Sequence, residues 1–595
     1  MNLRGYLINK VKLIIISVIL VAAVTTGFTL HSENLNRKKP DLSLENHLSE
    51  NYQPENHHVV FDDSAKPESR FYFARRVAEQ MNLSQLAGQV MMIGYAGSVP
   101  PPEIFEWIRD RNLGGIKIFG WNTDDLSVLK RSIEDMQEAA LTSGLRIPLF
   151  IATDQEGGWI RHVRGNTSIT PGNMALGASQ VIHDSYMSGY FIGKELKALG
   201  INMNFAPTID LLINPNAHVI GSRAFSDDPL RTAILGTAFT NGMRNAGVIC
   251  TAKHFPGHGR TAIDSHGRLP IIDGISLDEL FLTDLLPYDF LIRENIPAIM
   301  SGHLAFPDVT GNRRPASLSS FFLKDVLRGK MGFNGLIITD DMQMIGALYK
   351  NNVSASSLEA LRAGNDVVLI SRNLIEYDRI RNLIIREMSI DPDFERQIRK
   401  SVERILIIKY EYLDMETSHI RARRQNIYPV PAEGAAQFFY QQAFRSVSLL
   451  RSDKPLTKPG ENERILLAGP FRLFLEEGVK RFPNAHTHFF PYSPFFRARE
   501  IDLRVMPEIV SRYDTVIFCT ANDAGIEILR TLENSRARII VLSTRSPANL
   551  LGLEWITEGV AVYGTGRESF AAGFAAIAGD FIPEGILPLA TRESN

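Results

Sequence analysis

Residues 335–342 read Gly335-Leu-Ile-Ile-Thr-Asp-Asp-Met342, an apolar run that ends in two adjacent carboxylates. A short apolar run that opens on glycine reads as a buried strand. Working outward, seven more runs of this kind occur: Gln89–Tyr95, Gly115–Gly120, Pro148–Thr153, Ile201–Pro207, Val248–Lys253, Pro297–His303 and Asp366–Ser371. Helical patterns lie between them. In one, Leu374, Tyr377, Ile380, Leu383, Ile384 and Met388 recur at three- and four-residue steps with Arg and Glu interspersed. Strands alternating with helices imply a parallel sheet with crossover helices. Eight units over residues 71–413 predict an α/β fold, a (β/α)8 TIM-type barrel. A large open α/β sheet is the alternative; the even spacing favours closure.

The chemically capable residues fall just after these strands. Asp154 follows the third, Arg223 lies in the long loop after the fourth, and Lys253 and His254 end the fifth. His303 ends the sixth and Asp340 the seventh. Barrel active sites gather at the C-terminal ends of strands. Any one of these residues alone is more simply a hydrogen-bonded structural group; their shared placement raises the functional reading. Side chains alternate along a strand, so Asp340 and Asp341 should diverge, one to the barrel mouth and one to anchor backbone. The competing reading is that both cap the following helix.

The densest segment is Lys253-His254-Phe-Pro-Gly-His258-Gly259, followed after four residues by Asp264-Ser265-His266. Its glycines and proline make it a loop. One reading is a metal site using His254, His258 and His266, although no His-Glu-x-x-His signature is present. The other is acid/base catalysis. Asp264 can orient His266 across a tight turn and stabilise its protonated ring, and an imidazole near pKa 6.5 both gives and takes a proton near neutrality.

These segments together resemble glycoside hydrolase family 3, specifically its bacterial β-N-acetylhexosaminidase branch in a two-domain form. The loop 253–266 is similar to that branch's hallmark, and Val326-Leu-Arg-Gly-Lys330 with Gly335–Asp340 is similar to the family's active-site signature. Asp154-Gln-Glu-Gly-Gly158, Pro171–Gly177, Asn204-Phe-Ala-Pro207 with Asp210, and Ile220–Phe225 match further blocks. Gln343 departs from a position that is usually small. The resemblance implies a retaining glycosidase with Asp340 as nucleophile and His266, partnered by Asp264, as acid/base. It implies Asp154, Arg161, Arg223, Lys253 and His254 as sugar-binding residues. The family's usual arginine eight residues past Asp154 is His162 here, with Arg161 one step earlier, so either could fill that contact. His258 and His303 take structural roles. The resemblance implies no cofactor and no metal. The implied substrate is a carbohydrate, an N-acetylglucosamine-containing glycan or muropeptide. A family-3 β-glucosidase or xylosidase, a phosphorylase and a non-catalytic envelope sugar-binding protein remain open.

The whole chain has 595 residues, a length that suggests about four domains. Its 64 Lys and Arg against 66 Asp and Glu leave a net charge of −2, which gives no global case for nucleic acid. Only two cysteines, Cys250 and Cys519, are present, which excludes a disulfide-dense scaffold; both lie in apolar runs and read as buried thiols. Arg4, Lys10 and Lys12 precede an uncharged stretch, residues 13–30. It reads as a cleaved signal peptide or an N-terminal membrane anchor, which would place the rest outside the cytoplasm. Residues 31–70 read as a linker, and 414–445 as a second linker with a connecting helix. Residues 446–595 carry apolar strands at Val447–Leu450, Ile465–Ala468, Val516–Cys519, Ile539–Leu542 and Val560–Tyr563 and predict a smaller α/β sandwich domain. Gly564-Thr-Gly566 lacks the third glycine of a dinucleotide fingerprint. The catalytic set is expected wholly within the barrel.

Overall fold

A computed structural model describes residues 67–413, 429–451, 456–492 and 497–589. The first eight principal strands are β1 (Met91–Ile93), β2 (Gly115–Lys117), β3 (Phe150–Thr153), β4 (Met203–Asn204), β5 (Ile249–Phe255), β6 (Ala298–Ser301), β7 (Leu336–Asp341) and β8 (Val367–Ile370). They form a closed barrel in which each strand pairs with its neighbours in sequence and β1 pairs with β8. Every pairing is parallel. The predicted barrel is therefore observed. Its strands are buried because the helices cover one face and the barrel interior the other; all seven residues of β5 are buried, Lys253 and His254 among them.

Six of the eight strands are shorter than the sequence pattern suggests, β1 and β4 most of all. Gln89 ends a helix, Leu83–Gln89, rather than starting β1. The helix is set by a capping box. The Asn82 side chain accepts from the Gln85 N–H, and Gln85 Oε1 accepts from the Asn82 N–H. β4 stops at Asn204, whose side chain brackets the backbone N–H and C=O of Gln155 at 2.9 Å each. The opposite, N-terminal end of the barrel is plugged by Lys409. Its Nζ donates to Gln89 Oε1 at 3.0 Å and sits 5.0 Å from the Phe150 ring centroid. Burial pushes its pKa down to about 7.

The second sheet contains β9 (Ser448–Leu449), β10 (Ile465–Gly469), β11 (His486–Phe489), β12 (Thr515–Thr520), β13 (Arg538–Thr544) and β14 (Glu558–Tyr563). Its order is β9-β14-β13-β12-β10-β11, parallel except for β9. The order reverses at β10, which makes it a doubly wound sheet with helices on both faces. β11 carries no apolar signature; it is an edge strand, His-Thr-His-Phe, that is largely exposed. A helix, Ala435–Ser446, leads into the sheet.

The sheet and the barrel share a core. Met174, Leu212, Ile220 and Ala224 of the barrel loops pack in one cluster with Leu466, Phe518, Val541 and Tyr563. Arg445 spans the junction with two 2.8 Å bonds to the buried Asp184 carboxylate. Cys250 and Cys519 are buried free thiols in separate clusters, one in the barrel and one in the second sheet. Burial pushes the Cys250 thiol up to about 12 and raises Cys519 well above the usual range. Among the described residues, no helix is long and apolar enough to cross a membrane; residues 13–30 lie outside them.

Candidate active site at the barrel mouth

The floor of the mouth is a charge cluster built from adjoining strand ends. Asp154, one residue past β3, receives Lys117 Nζ from β2 and Lys253 Nζ from β5. Lys253 also lies 2.6 Å from Glu156 Oε1. Glu156 in turn takes a bidentate pair from Arg223, Nε and Nη2 at 2.8 Å each. Two lysines and an arginine thus share two carboxylates in a region where Lys117, Lys253 and Glu156 are almost fully buried. Burial alone would raise the carboxyl pKa values, but the cations win. Lys117 and Lys253 hold Asp154 well below its usual range, and Arg223 and Lys253 hold Glu156 down to about 2. Both acids are therefore ionised acceptors, and the ammonium and guanidinium groups are donors, which suits hydroxyl-rich ligands.

His162 joins this cluster; Arg161 does not. His162 Nδ1 lies 3.4 Å from Lys117 Nζ and 3.6 Å from Asp154 Oδ2. Both residues close a two-stranded hairpin, Gln155–Gly157 with Ile160–Arg161. Arg161 instead donates from Nη2 to the Gly165 carbonyl at 3.4 Å. Burial and the Lys117 charge push His162 down to about 4, so its ring is neutral at ordinary pH.

Asp340 stands at the end of β7. Its Oδ1 accepts from the Asp341 N–H at 2.8 Å. Burial pushes its pKa up, but His254, His303, that N–H and His266 together pull it below the ordinary value. Asp341 points elsewhere: Oδ1 accepts from the N–H groups of Gln343 at 3.1 Å and Ser371 at 3.2 Å. It ties β7 to β8, and neither aspartate caps a helix, since the next one starts after Met344. Gln343 strengthens the tie, its Oε1 accepting from Ser371 Oγ and the Arg372 N–H. His303 braces the same strand end with Nε2 3.1 Å from the Asp341 carbonyl and Nδ1 2.7 Å from Ser317 Oγ.

The loop after β5 holds the remaining groups. Asp210 is its buried anchor, 2.7 Å from His254 Nδ1 and accepting from the His258 N–H at 2.7 Å. Arg223 Nη2 lies 3.3 Å from the other ring nitrogen of His254. Gly259 is required where the loop crosses the segment after β4: a Cβ there would lie 1.7 Å from the Leu211 carbonyl oxygen. His258 is buried and reaches Ser265 Oγ at 3.2 Å, which places the residue between Asp264 and His266. His266 Nδ1 then lies 2.7 Å from Asp264 Oδ1, which also accepts the His266 N–H at 2.9 Å. The dyad is exposed, with His266 70% and Asp264 47% accessible, above a nucleophile candidate set deeper. The hydrogen bond to Asp264 raises the His266 pKa, and the Asp340 charge adds to it. With Nδ1–H donating to Asp264, Nε2 is left to carry the mobile proton.

Asp154, Arg223, Lys253, His254, Asp340, Asp264 and His266 thus converge on one mouth, all from barrel loops and strand ends. The three loop histidines do not converge on a common point. Among the described residues, no three His, Cys, Asp or Glu side chains are grouped to hold a metal. Sequence reasoning missed Lys117, although an ionisable residue inside the run Gly115-Ile-Lys-Ile118 signals a buried partner. It also passed over Glu156, which sits in a quoted block, and the anchoring role of Asp210.

Residues 82–408 match the glycosyl hydrolase family 3 N-terminal domain. The β-hexosaminidase A of Pseudoalteromonas piscicida is 35% identical over 331 residues, 50% of this chain and 55% of that protein, so this chain spans about half its length. The β-hexosaminidase of Tolumonas auensis is 37% identical over 286 residues, 48% of this chain and 83% of that one. The solved structure of a glycoside hydrolase family 3 β-N-acetylglucosaminidase from Paenibacillus sp. aligns with a TM-score of 0.78 at 26% identity, covering 86% of this chain and 99% of that one.

Proposed function

This chain belongs to glycosyl hydrolase family 3, and we propose on that premise that it is a retaining exo-β-N-acetylhexosaminidase. It removes terminal β-linked N-acetylglucosamine. The observation that carries the reading is the pairing of an ionised carboxylate at the end of β7 with the exposed His266–Asp264 dyad, both above the Asp154–Lys253–Arg223 floor.

The floor binds the sugar hydroxyls and fixes the ring over Asp340. Asp340 attacks the anomeric carbon as His266 Nε2–H protonates the departing oxygen. The glycosidic bond breaks, and the sugar is held as an ester on Asp340. His266, now neutral, takes a proton from water, whose oxygen attacks the same carbon and releases Asp340. Two inversions give net retention. Asp264 keeps the ring in the tautomer that both steps need. An imidazole suits this position because its neutral form does not repel the nearby Asp340 carboxylate.

The relatives named for hexosaminidase activity support N-acetylglucosamine over glucose. We assign peptidoglycan fragments as the natural source and a site of action outside the cytoplasm. Residues 13–30 with their basic flank support that localisation, as a cleaved leader or as an anchor holding the enzyme to the membrane. N-terminal sequencing of the mature protein after cell fractionation tests it; a full-length cytosolic protein rejects it. Nucleic acid has no place as a partner at a net charge of −2.

The enzymatic test compares aryl β-N-acetylglucosaminide with aryl β-glucoside. The first should be cleaved faster, and Asp340→Asn should lower kcat by about 10⁴-fold or more. Faster cleavage of the glucoside rejects the substrate, and an active Asp340→Asn rejects the nucleophile.

A further inference from the structure

The exposed dyad rides on a span pinned at both ends. At one end Arg260 is fixed, with Nε 2.7 Å from Asp284 Oδ2 and Nη2 2.8 Å from Thr283 Oγ1. At the other, the Pro270 carbonyl accepts from the Ala305 N–H at 2.9 Å, and the Ile272 N–H donates to the Ala305 carbonyl at 2.8 Å. Residues 261–269 bridge the two and carry Asp264 and His266 over the mouth. Among the described residues, Ser265 alone ties this stretch by hydrogen bonds to anything outside it.

Ser265 is 3% accessible, although the residues on either side of it are exposed. Its hydroxyl lies 3.2 Å from His258 Nε2, and its carbonyl accepts from the Gly346 N–H at 3.0 Å. Both supports are themselves held. The His258 N–H is bonded to the buried Asp210 carboxylate. Burial pushes the His258 ring down to about 4, so it ties the span without adding a second cation beside His266. Gly346 belongs to the short helix after β7, Ile345–Leu348. Just before that helix, the Met344 N–H donates at 3.0 Å to the Asp341 carbonyl, the same oxygen that His303 braces. Gly346 has little room for a side chain. A Cβ there would lie 3.0 Å from the Ser265 carbonyl oxygen and 3.1 Å from His303 Cβ. The span is thus fastened to the strand end that carries Asp340. Nucleophile and proton donor come from different loops, and Ser265 is where one loop is fixed against the other.

Resting on the N-acetylglucosaminidase reading above, we propose that Ser265 is a positioning residue for the acid/base and that Gly346 is its seat. Together they keep His266 Nε2 at the departing oxygen while Asp340 attacks. A general acid has to stand about 2.6–3.2 Å from the atom it protonates. A displacement of about 1 Å can cost about 10²-fold in rate. An exposed ring on a span without a central support would not hold that place.

The test uses the full chain and two N-acetylglucosaminides. One is the β-1,4-linked disaccharide of N-acetylglucosamine, whose leaving sugar needs a proton. The other is the dinitrophenyl glycoside, whose phenolate leaves with little help. Ser265→Ala should lower kcat/KM on the disaccharide by about 10–100-fold, through kcat with KM unchanged. On the dinitrophenyl glycoside the loss should be less than about threefold. Gly346→Ala should show the same split. Equal losses on the two substrates overturn the proposal, because they mark a residue that merely supports the fold. An undiminished rate on the disaccharide overturns it as well. If Ser265→Ala fails to fold, Gly346→Ala decides by the same comparison. If wild type cleaves neither substrate, the underlying reading fails; that outcome is distinct from a wild type that cleaves both and variants that match it.

Discussion

At the scale of single residues, the mouth shifts two groups toward opposite protonation states. Asp340 lies below its ordinary pKa and His266 above its ordinary 6.5. The proposed mechanism needs Asp340 ionised and His266 protonated, so the kcat/KM profile should show an alkaline limb above pH 6.5. The hydrogen bond that His266 Nδ1–H donates to Asp264 is the chief cause of the upward shift. Asp264→Asn should therefore move the alkaline limb to lower pH while leaving the acid limb in place. A pH profile on an aryl substrate checks this, and an unmoved limb would mean that another group sets it. The same sign holds for the His266 share of stability: while Asp264 is ionised it is full below 6.5, and it is lost as pH rises through the raised value. Both groups were legible in the sequence because they sit at a strand end and in a loop dense with chemistry. The Arg161 contact was not. Whether residue 161 or 162 faces inward depends on the hairpin's register, and one step along a strand reverses a side chain.

At the scale of elements, the barrel strands were legible because each is buried on both faces and so reads as a mostly apolar run, interrupted at groups such as Lys117 and Lys253 that serve the mouth. The exceptions have local causes. The Asn82–Gln85 capping box extends a helix into the expected first strand. β11 is a largely exposed edge with polar residues, so periodicity has nothing to register. The loop after β5 is positioned by contact rather than by pattern, and Gly259 is where it touches. Gly259→Ala should cost about 1–3 kcal/mol and lower kcat by displacing the dyad. Thermal melting with steady-state rates checks both; a variant as stable and active as wild type would show that the crossing has slack.

At the scale of the whole molecule, the barrel and second sheet cannot be separate bodies, because apolar side chains from both fill one cluster. Arg445 adds a charge lock on the buried Asp184. Arg445→Ala should destabilise the protein by about 3 kcal/mol, the low end for a broken buried pair, since the arginine keeps some solvent contact. Calorimetry should show the loss in one shared transition; two transitions, with only one shifted, would contradict the joint core. The sequence showed two layers of strands but not this junction, which depends on contacts between segments distant along the chain. The two buried cysteines give that junction a built-in gauge. Each thiol stays protonated and shielded in the native protein, which makes it slow to react. An alkylating reagent will therefore count openings, with Cys250 reporting on the barrel and Cys519 on the sheet. Equal labelling rates at the two positions would mark a chain that opens as one body, read without any introduced probe.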